Sequence, residues 1–173
     1  MNEEMRALRK NETWDLVPHS PHRKAIGFRW IYKVKYNANG SVNRYKARLV
    51  AKGYAQTHGI DYEETFAPVA KMTTVGTVIA LAKVKGWHLH QMDVKNAFLQ
   101  DELEEEVYIV QPPGFESNIH PKAVCQLKKP LYGLKQAPCA WHSKITQYLH
   151  QIGFRMSKAD NFLYVRNDSG SPL

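Results

Sequence analysis

The chain has 173 residues, 43% of them hydrophobic and 23% charged, with 24 basic against 16 acidic side chains. This is the make-up of one ordinary domain or a piece of a larger one; it is too apolar and aromatic for a disordered tail, and no apolar run approaches the ~20 residues that span a bilayer. Residues 21–60 hold nine bases and no acid, while the other residues carry fifteen bases and sixteen acids, so the whole positive excess lies in one stretch. A polyanion partner suits such a block, which is interleaved with Trp30, Tyr32, Tyr36, Tyr45 and Tyr54; a solvated basic face is the plainer alternative.

In chain order, residues 1–10 suit a short helix ending near Asn11. The start of that segment carries the acids Glu3 and Glu4, with no apolar run behind it, and does not read as a secretory signal. Thr13 to Val17 reads as extended. Ala25 to Tyr36 and Val42 to Lys52 are rich in β-branched and aromatic residues and flank Asn37-Ala38-Asn39-Gly40, whose Asn-Gly pair signals a hairpin. The period of two then places Lys46, Arg48 and Lys52 on one face and Ala47, Leu49 and Ala51 on the other. A loop follows through Asp61 to Pro68. Thr73 to Lys85 reads as a helix stopped by Gly86, with Gly76 a weak point inside it. Trp87 to Val94 reads as a strand, as do Val107 to Val110 and Val124 to Lys128, and Pro112-Pro113-Gly114 turns the chain. After Pro138, which suits a first helical turn, Trp141, Ile145, Tyr148, Leu149 and Ile152 fall at helical spacing and predict one buried stripe ended by Gly153. A further strand starts at Phe162 to Val165. Strands and helices without a regular alternation predict an α+β fold.

The first suspicious residue is Asp93, an acid ending an apolar run with Phe98 five residues on. A carboxylate there can hold Mg²⁺; the commoner role is an N-cap for a helical turn over Lys95 to Leu99. His88 and His90 share a strand face but have no third ligand at a suitable spacing. Cys125 and Cys139 read as buried thiols in a reducing, intracellular setting, and Glu102 with Glu104 to Glu106 reads as a solvated acidic face.

Five segments in series carry a resemblance across nearly the whole chain: Asn11-Glu-Thr-Trp-Asp-Leu-Val17, Lys46-Ala-Arg-Leu-Val-Ala-Lys-Gly53, Asp61-Tyr-Glu-Glu-Thr-Phe-Ala-Pro-Val69, Gln91-Met-Asp-Val-Lys-Asn-Ala-Phe-Leu99 and Leu131-Tyr-Gly-Leu-Lys-Gln-Ala-Pro138. Together they resemble the front part of the reverse transcriptase domain of copia-type LTR retrotransposons. The resemblance implies a right-hand polymerase fold with fingers and an incomplete palm: 1–86 mainly fingers, 87–111 a palm strand bearing Asp93, 112–137 a return to the fingers with a pocket loop, and 138–173 a palm helix and following strand. It implies an RNA template, a DNA primer, dNTP and Mg²⁺ as partners, no membrane, and the cytoplasm, where the family's particles assemble. Asp93 is similar to the first catalytic aspartate, holding metal with the Val94 carbonyl; Phe98 resembles the steric gate that excludes a 2′-hydroxyl; Tyr132, Gly133 and Lys135 match the loop lining the nucleotide pocket; and Lys46, Arg48 and Lys52 are similar to cations near the triphosphate.

The remaining carboxylates of the family's two-metal site come from a Tyr-Val-Asp-Asp turn, and the sequence contains no Asp-Asp pair. Its end, Asn161 to Gly170, looks like the strand and turn before that motif. The expectation is a polymerase fragment inactive alone, a residual nucleic-acid-binding module, or a non-functional copy. Gly76, Cys139 and Asp101, where the family usually has Arg, Arg and Gly, are the departures expected of a decaying copy.

Overall fold

A computed structural model describes residues 1–65, 67 and 69–166. Helix α1, Asn2–Lys10, carries Glu3 and Glu4 in its first turn and Arg9 and Lys10 in its last, the arrangement its dipole favours. It buries Met5 and Leu8 and ends where the Asn11 amide and the Thr13 hydroxyl donate to the Ala7 and Leu8 carbonyls. Strand β1, Trp14–Val17, follows.

Strands β2, Phe28–Tyr36, and β3, Val42–Ala51, form the predicted antiparallel hairpin. Asn37 closes it: its backbone N–H donates to the Ser41 carbonyl at 2.9 Å, its side chain donates to Ser41 Oγ and accepts from Asn43, and Gly40 takes a φ of 81°, a conformation other residues reach only at a cost. Helix α2 spans Met72–Lys85 and stops at Gly86, whose φ is 68°. Strands β4, Tyr108–Ile109, and β5, Val124–Leu127, complete a three-stranded antiparallel sheet in the order β1-β5-β4. Helix α3 covers Ala137–Gln151 with Pro138 in its first turn, and the short strands β6, Arg155–Met156, and β7, Tyr164–Val165, pair antiparallel. Mixed helix and sheet is therefore the architecture. Of the strand and turn expected over Asn161 to Gly170, the part from Asn167 on lies outside the described residues, as do Phe66 and Pro68 of the loop before α2.

The core lies where α1, the root of the hairpin, the three-stranded sheet and the 131–137 segment meet. Met5, Leu8, Ile26, Phe28, Leu49, Val107, Ile109, Cys125, Leu127, Leu131 and Leu134 are all buried there. Ile26 stitches hairpin to sheet: its N–H donates to the Tyr108 carbonyl and its carbonyl accepts from Val110.

Three expectations need correction. Trp87 to Val94 is not a strand. Its side chains alternate as a strand's would, but among the described residues no strand pairs with it, and its apolar members lie open, with Met92 91% exposed. A ladder needs a partner, which alternation alone does not supply. The stripe on α3 is not buried: Trp141, Ile145 and Leu149 are half-buried, Tyr148 and Ile152 are exposed, and Ala137 is the buried residue of that helix. Asp93 does not cap the turn after it, because that 3₁₀ turn spans Ala97–Gln100 with Asn96 at its cap.

Candidate functional site

The hairpin supplies the electrostatics. Its register sets Lys33 opposite Lys46, Lys35 opposite Arg44, Ile31 opposite Arg48 and Arg29 opposite Val50. Residues directly opposed on paired strands share a face, and like charges so placed repel. Six cations thus line one side of a two-stranded ribbon, and two of the opposed pairs are cation against cation. Among the described residues none of them forms an ion pair; the pairs present are Arg23 with Glu106, Lys128 with Asp15 and Lys144 with Asp101. On the other face Leu49 and Ala51 are buried and Ala47 half-buried, as the period predicts. Lys52 sits at the root, half-buried, with its N–H donating to the Gly27 carbonyl.

The outer edge of β3 carries the second part of the site. The Ala51 N–H donates to the Tyr132 carbonyl at 2.8 Å, so the 131–136 turn lies along that edge. The approach is close enough that a Cβ on Gly53 would stand 1.9 Å from the Gly133 carbonyl oxygen, and one on Gly133, where φ is 91°, would stand 2.2 Å from the Ala51 oxygen. Only glycine fits either position. Seated this way, the Tyr132 ring meets Phe98 edge to face, centroids 4.7 Å apart, and the Arg48 guanidinium lies 4.6 Å from the same ring's centroid. Arg48, Phe98 and Tyr132, drawn from three separate segments, therefore form one stack. Such a surface offers π-faces to a base and a cation to phosphate.

Phe98 reaches the stack because Asn96 adopts a φ of 53° and turns the chain into the 3₁₀ turn that buries Leu99. The space on the α1 side of Phe98 and Tyr132 is closed: Glu4, Leu8 and Leu131 help enclose a cavity of about 10 Å³, room for no more than one water. A ligand for the stack must come from the side away from α1. Glu4 accepts a long hydrogen bond, 3.4 Å, from the Leu49 N–H. Burial pushes its carboxyl above the usual range, against the pull of that N–H and of Arg48 and Lys46.

Asp93 lies five residues before Phe98 and is exposed, and it makes no hydrogen bond or ion pair with a described residue. Val94 is exposed beside it, as are His88 and His90. No group of three or more His, Cys, Asp or Glu able to hold a metal ion occurs among the described residues. A two-Mg²⁺ centre needs several carboxylate oxygens gathered at one point, so the described residues do not fit that pair of ions. Lys46 and Arg48 lie on the cationic face, but Lys135 is directed elsewhere: its ammonium donates to the Tyr62 hydroxyl at 3.0 Å and to the Gln56 carbonyl at 3.4 Å. Gln56 and Gln136, both buried, hold this region together and were invisible to pattern reading, since a buried amide pair has no periodicity. A surface hollow of about 870 Å³ between residues 16–19 and 120–123 contains none of the candidate residues.

A family profile described as reverse transcriptase (RNA-dependent DNA polymerase) matches residues 11–173. The chain belongs to the reverse transcriptase family. It is 52% identical over 166 residues to the retrovirus-related Pol polyprotein from transposon RE1 of Arabidopsis thaliana, covering 95% of this chain and 11% of that one. It is 41% identical over 169 residues to the corresponding polyprotein from transposon TNT 1-94 of Nicotiana tabacum, covering 98% and 13%, and 42% identical over 83 residues to an uncharacterized mitochondrial protein of Arabidopsis thaliana, covering 48% and 49%. These polyproteins are of the copia type, and this reverse transcriptase chain corresponds to about a ninth of the first relative's length. No solved structure matches it. No helix among the described residues is long and apolar enough to cross a membrane.

Proposed function

We propose that this chain is the fingers and part of the palm of a right-hand RNA-directed DNA polymerase, with the segment limits given above, and that it does not polymerise by itself. The observation that supports the reading is the stack of Arg48, Phe98 and Tyr132 beside a cationic ribbon. In this reading Phe98 lies against the sugar of an incoming dNTP, Tyr132 and Gly133 line its pocket, and Lys46, Arg48 and Lys52 face its phosphates. An RNA template and a DNA primer are the other partners, and the cytoplasm is the proposed compartment. When bound, Mg²⁺ would activate the primer hydroxyl and hold the triphosphate; Asp93 with the Val94 carbonyl would contribute to that site without completing it.

Primer extension tests this directly. Purified chain with poly-A template, oligo-dT primer, dTTP and Mg²⁺ is expected to add no nucleotide. Extension that disappears in Asp93→Ala would overturn the proposal of inactivity.

The opposed cations support a second reading, a nucleic-acid-binding module without catalysis. Its affinity would fall steeply between 50 and 200 mM salt, which a gel-shift titration with single-stranded RNA at both concentrations would show. Absence of a shifted band at the lower salt would remove this reading.

A further inference from the structure

Lys135 carries the sequence signature of a pocket residue, yet its surroundings describe a different job. Gln56 is 5% exposed and Gln136 3%. Gln56 Oε1 accepts from the Lys135 backbone N–H at 2.8 Å, and its Nε2 donates to Gln136 Oε1 at 3.0 Å. Gln136 Nε2 donates in turn to the Asp61 carbonyl at 3.0 Å, and the Asp61 carboxylate accepts from the Thr57 N–H at 2.7 Å. The Lys135 ammonium closes the ring of contacts on the Tyr62 hydroxyl and the Gln56 carbonyl, lying 4.7 Å from the centre of the Tyr62 ring. The Gln56 and Gln136 side-chain amides are each satisfied on both oxygen and nitrogen, which is how buried polar groups become rigid rather than costly.

What the network fixes is the 131–136 turn. One side of that turn meets β3 through the Ala51 N–H and the Gly53–Gly133 contact; the other is tied to the loop of residues 56–62. We propose that Lys135, Gln56 and Gln136 form a latch that seats Tyr132 in its stack with Arg48 and Phe98, so that Lys135 is a positioning residue and not a phosphate ligand. The inference rests on the nucleotide-pocket reading only for what the stack is used for, and the latch itself is measured without any nucleotide.

The experiment is amide hydrogen exchange by NMR on the ¹⁵N-labelled chain, comparing wild type with Lys135→Met, Gln136→Leu and Lys135→Arg. Two amides report on the latch: Ala51, which donates to Tyr132, and Lys135, which donates to Gln56. The Lys52 amide, bonded within the hairpin root to Gly27, is the control one residue away. Lys135→Met and Gln136→Leu should each lower protection at positions 51 and 135 at least tenfold while Lys52 stays within twofold. Lys135→Arg, which keeps a cation and donors for the Tyr62 hydroxyl, should stay within threefold of wild type at all three. Unchanged protection at position 51, or an equal fall at all three amides, would overturn the latch. If either truncating variant does not fold, Tyr62→Phe, which removes one oxygen, carries the same test with an expected threefold selective fall. A lysine whose business is phosphate would leave both reporter amides protected when no phosphate is present.

Discussion

Gly76 occupies the middle of α2 with a φ outside the left-handed region and nothing within 4 Å of the point where a Cβ would stand. No turn, contact or backbone strain requires glycine there. Gly76→Ala should therefore raise stability by about 0.5–1 kcal/mol, through the loss of unfolded-state freedom, and a denaturation midpoint shifted upward at unchanged slope would show it. Cys139, the second departure from the family pattern, is half-buried, with its thiol raised by burial and then by Glu64 and Glu105; an arginine at this position would meet those two acids with the opposite sign. Asp101, the third, holds Lys144 of α3 at 3.6 Å. Asp160 has a clearer task. It is buried, and its carboxylate accepts from the Phe162 N–H, the Thr74 side chain and the Lys71 N–H, which hold it below the usual range. It thereby ties the start of α2, at Lys71 and Thr74, to the segment before β7. A depressed carboxyl stabilises the fold above its unfolded pKa, and that contribution fades as the pH drops through the folded value. Asp160→Asn should melt below wild type at pH 7, with the gap shrinking as the pH falls under about 3.9; thermal melts across that range check it.

The hairpin shows what a sequence pattern reveals about an element and what it leaves out. Its turn, its two faces and the position of the basic row follow from Asn37, Gly40 and a period of two. The pairing of cation against cation does not, because register depends on which residues meet across the turn. That register predicts a trade-off. Lys33→Glu converts the Lys33–Lys46 repulsion into an attraction and should raise hairpin stability by about 0.2–1 kcal/mol. The same change removes a phosphate partner and should weaken single-stranded RNA binding, with a salt slope shallower by about 0.7. Thermal melts and salt-titrated gel shifts on one variant would show both effects together. The Trp87 to Val94 segment failed for the complementary reason: alternation reports which way side chains point, and a strand also needs a neighbour. The helical stripe from Trp141 to Ile152 likewise identified a helix correctly and its depth wrongly, since spacing fixes a face but not what covers it. At the site, Asp93 and the 131–136 turn were legible as motifs, whereas the Gln56–Gln136 pair and the meeting of Arg48 with Tyr132 arise only from the folded path.

At the scale of the molecule the apolar surface is unevenly spent. The core draws on α1, the hairpin root and the three-stranded sheet, while α2 buries only Ala82 and leaves Val75, Ile79, Leu81 and Val84 exposed, the last by 81%. Trp87, Leu89 and Met92 follow directly and are open as well. An apolar surface of this kind on a free chain drives association. The purified chain should self-associate at tens of micromolar, and Val75→Gln with Ile79→Glu should increase the monomer share measured by light scattering on a sizing column. A wild-type chain that elutes as a monomer at that concentration would contradict this account.

The contact between Gly53 and Gly133 has a consequence of a different order. Two distant stretches of polypeptide touch there main chain to main chain, leaving no volume for even a methyl group on either. Genetic drift can recolour the faces of this hairpin at little cost, but these two sites are a keyhole. A copy of the gene that has lost either glycine has lost the seating of its aromatic stack, however well the remainder of its text is preserved.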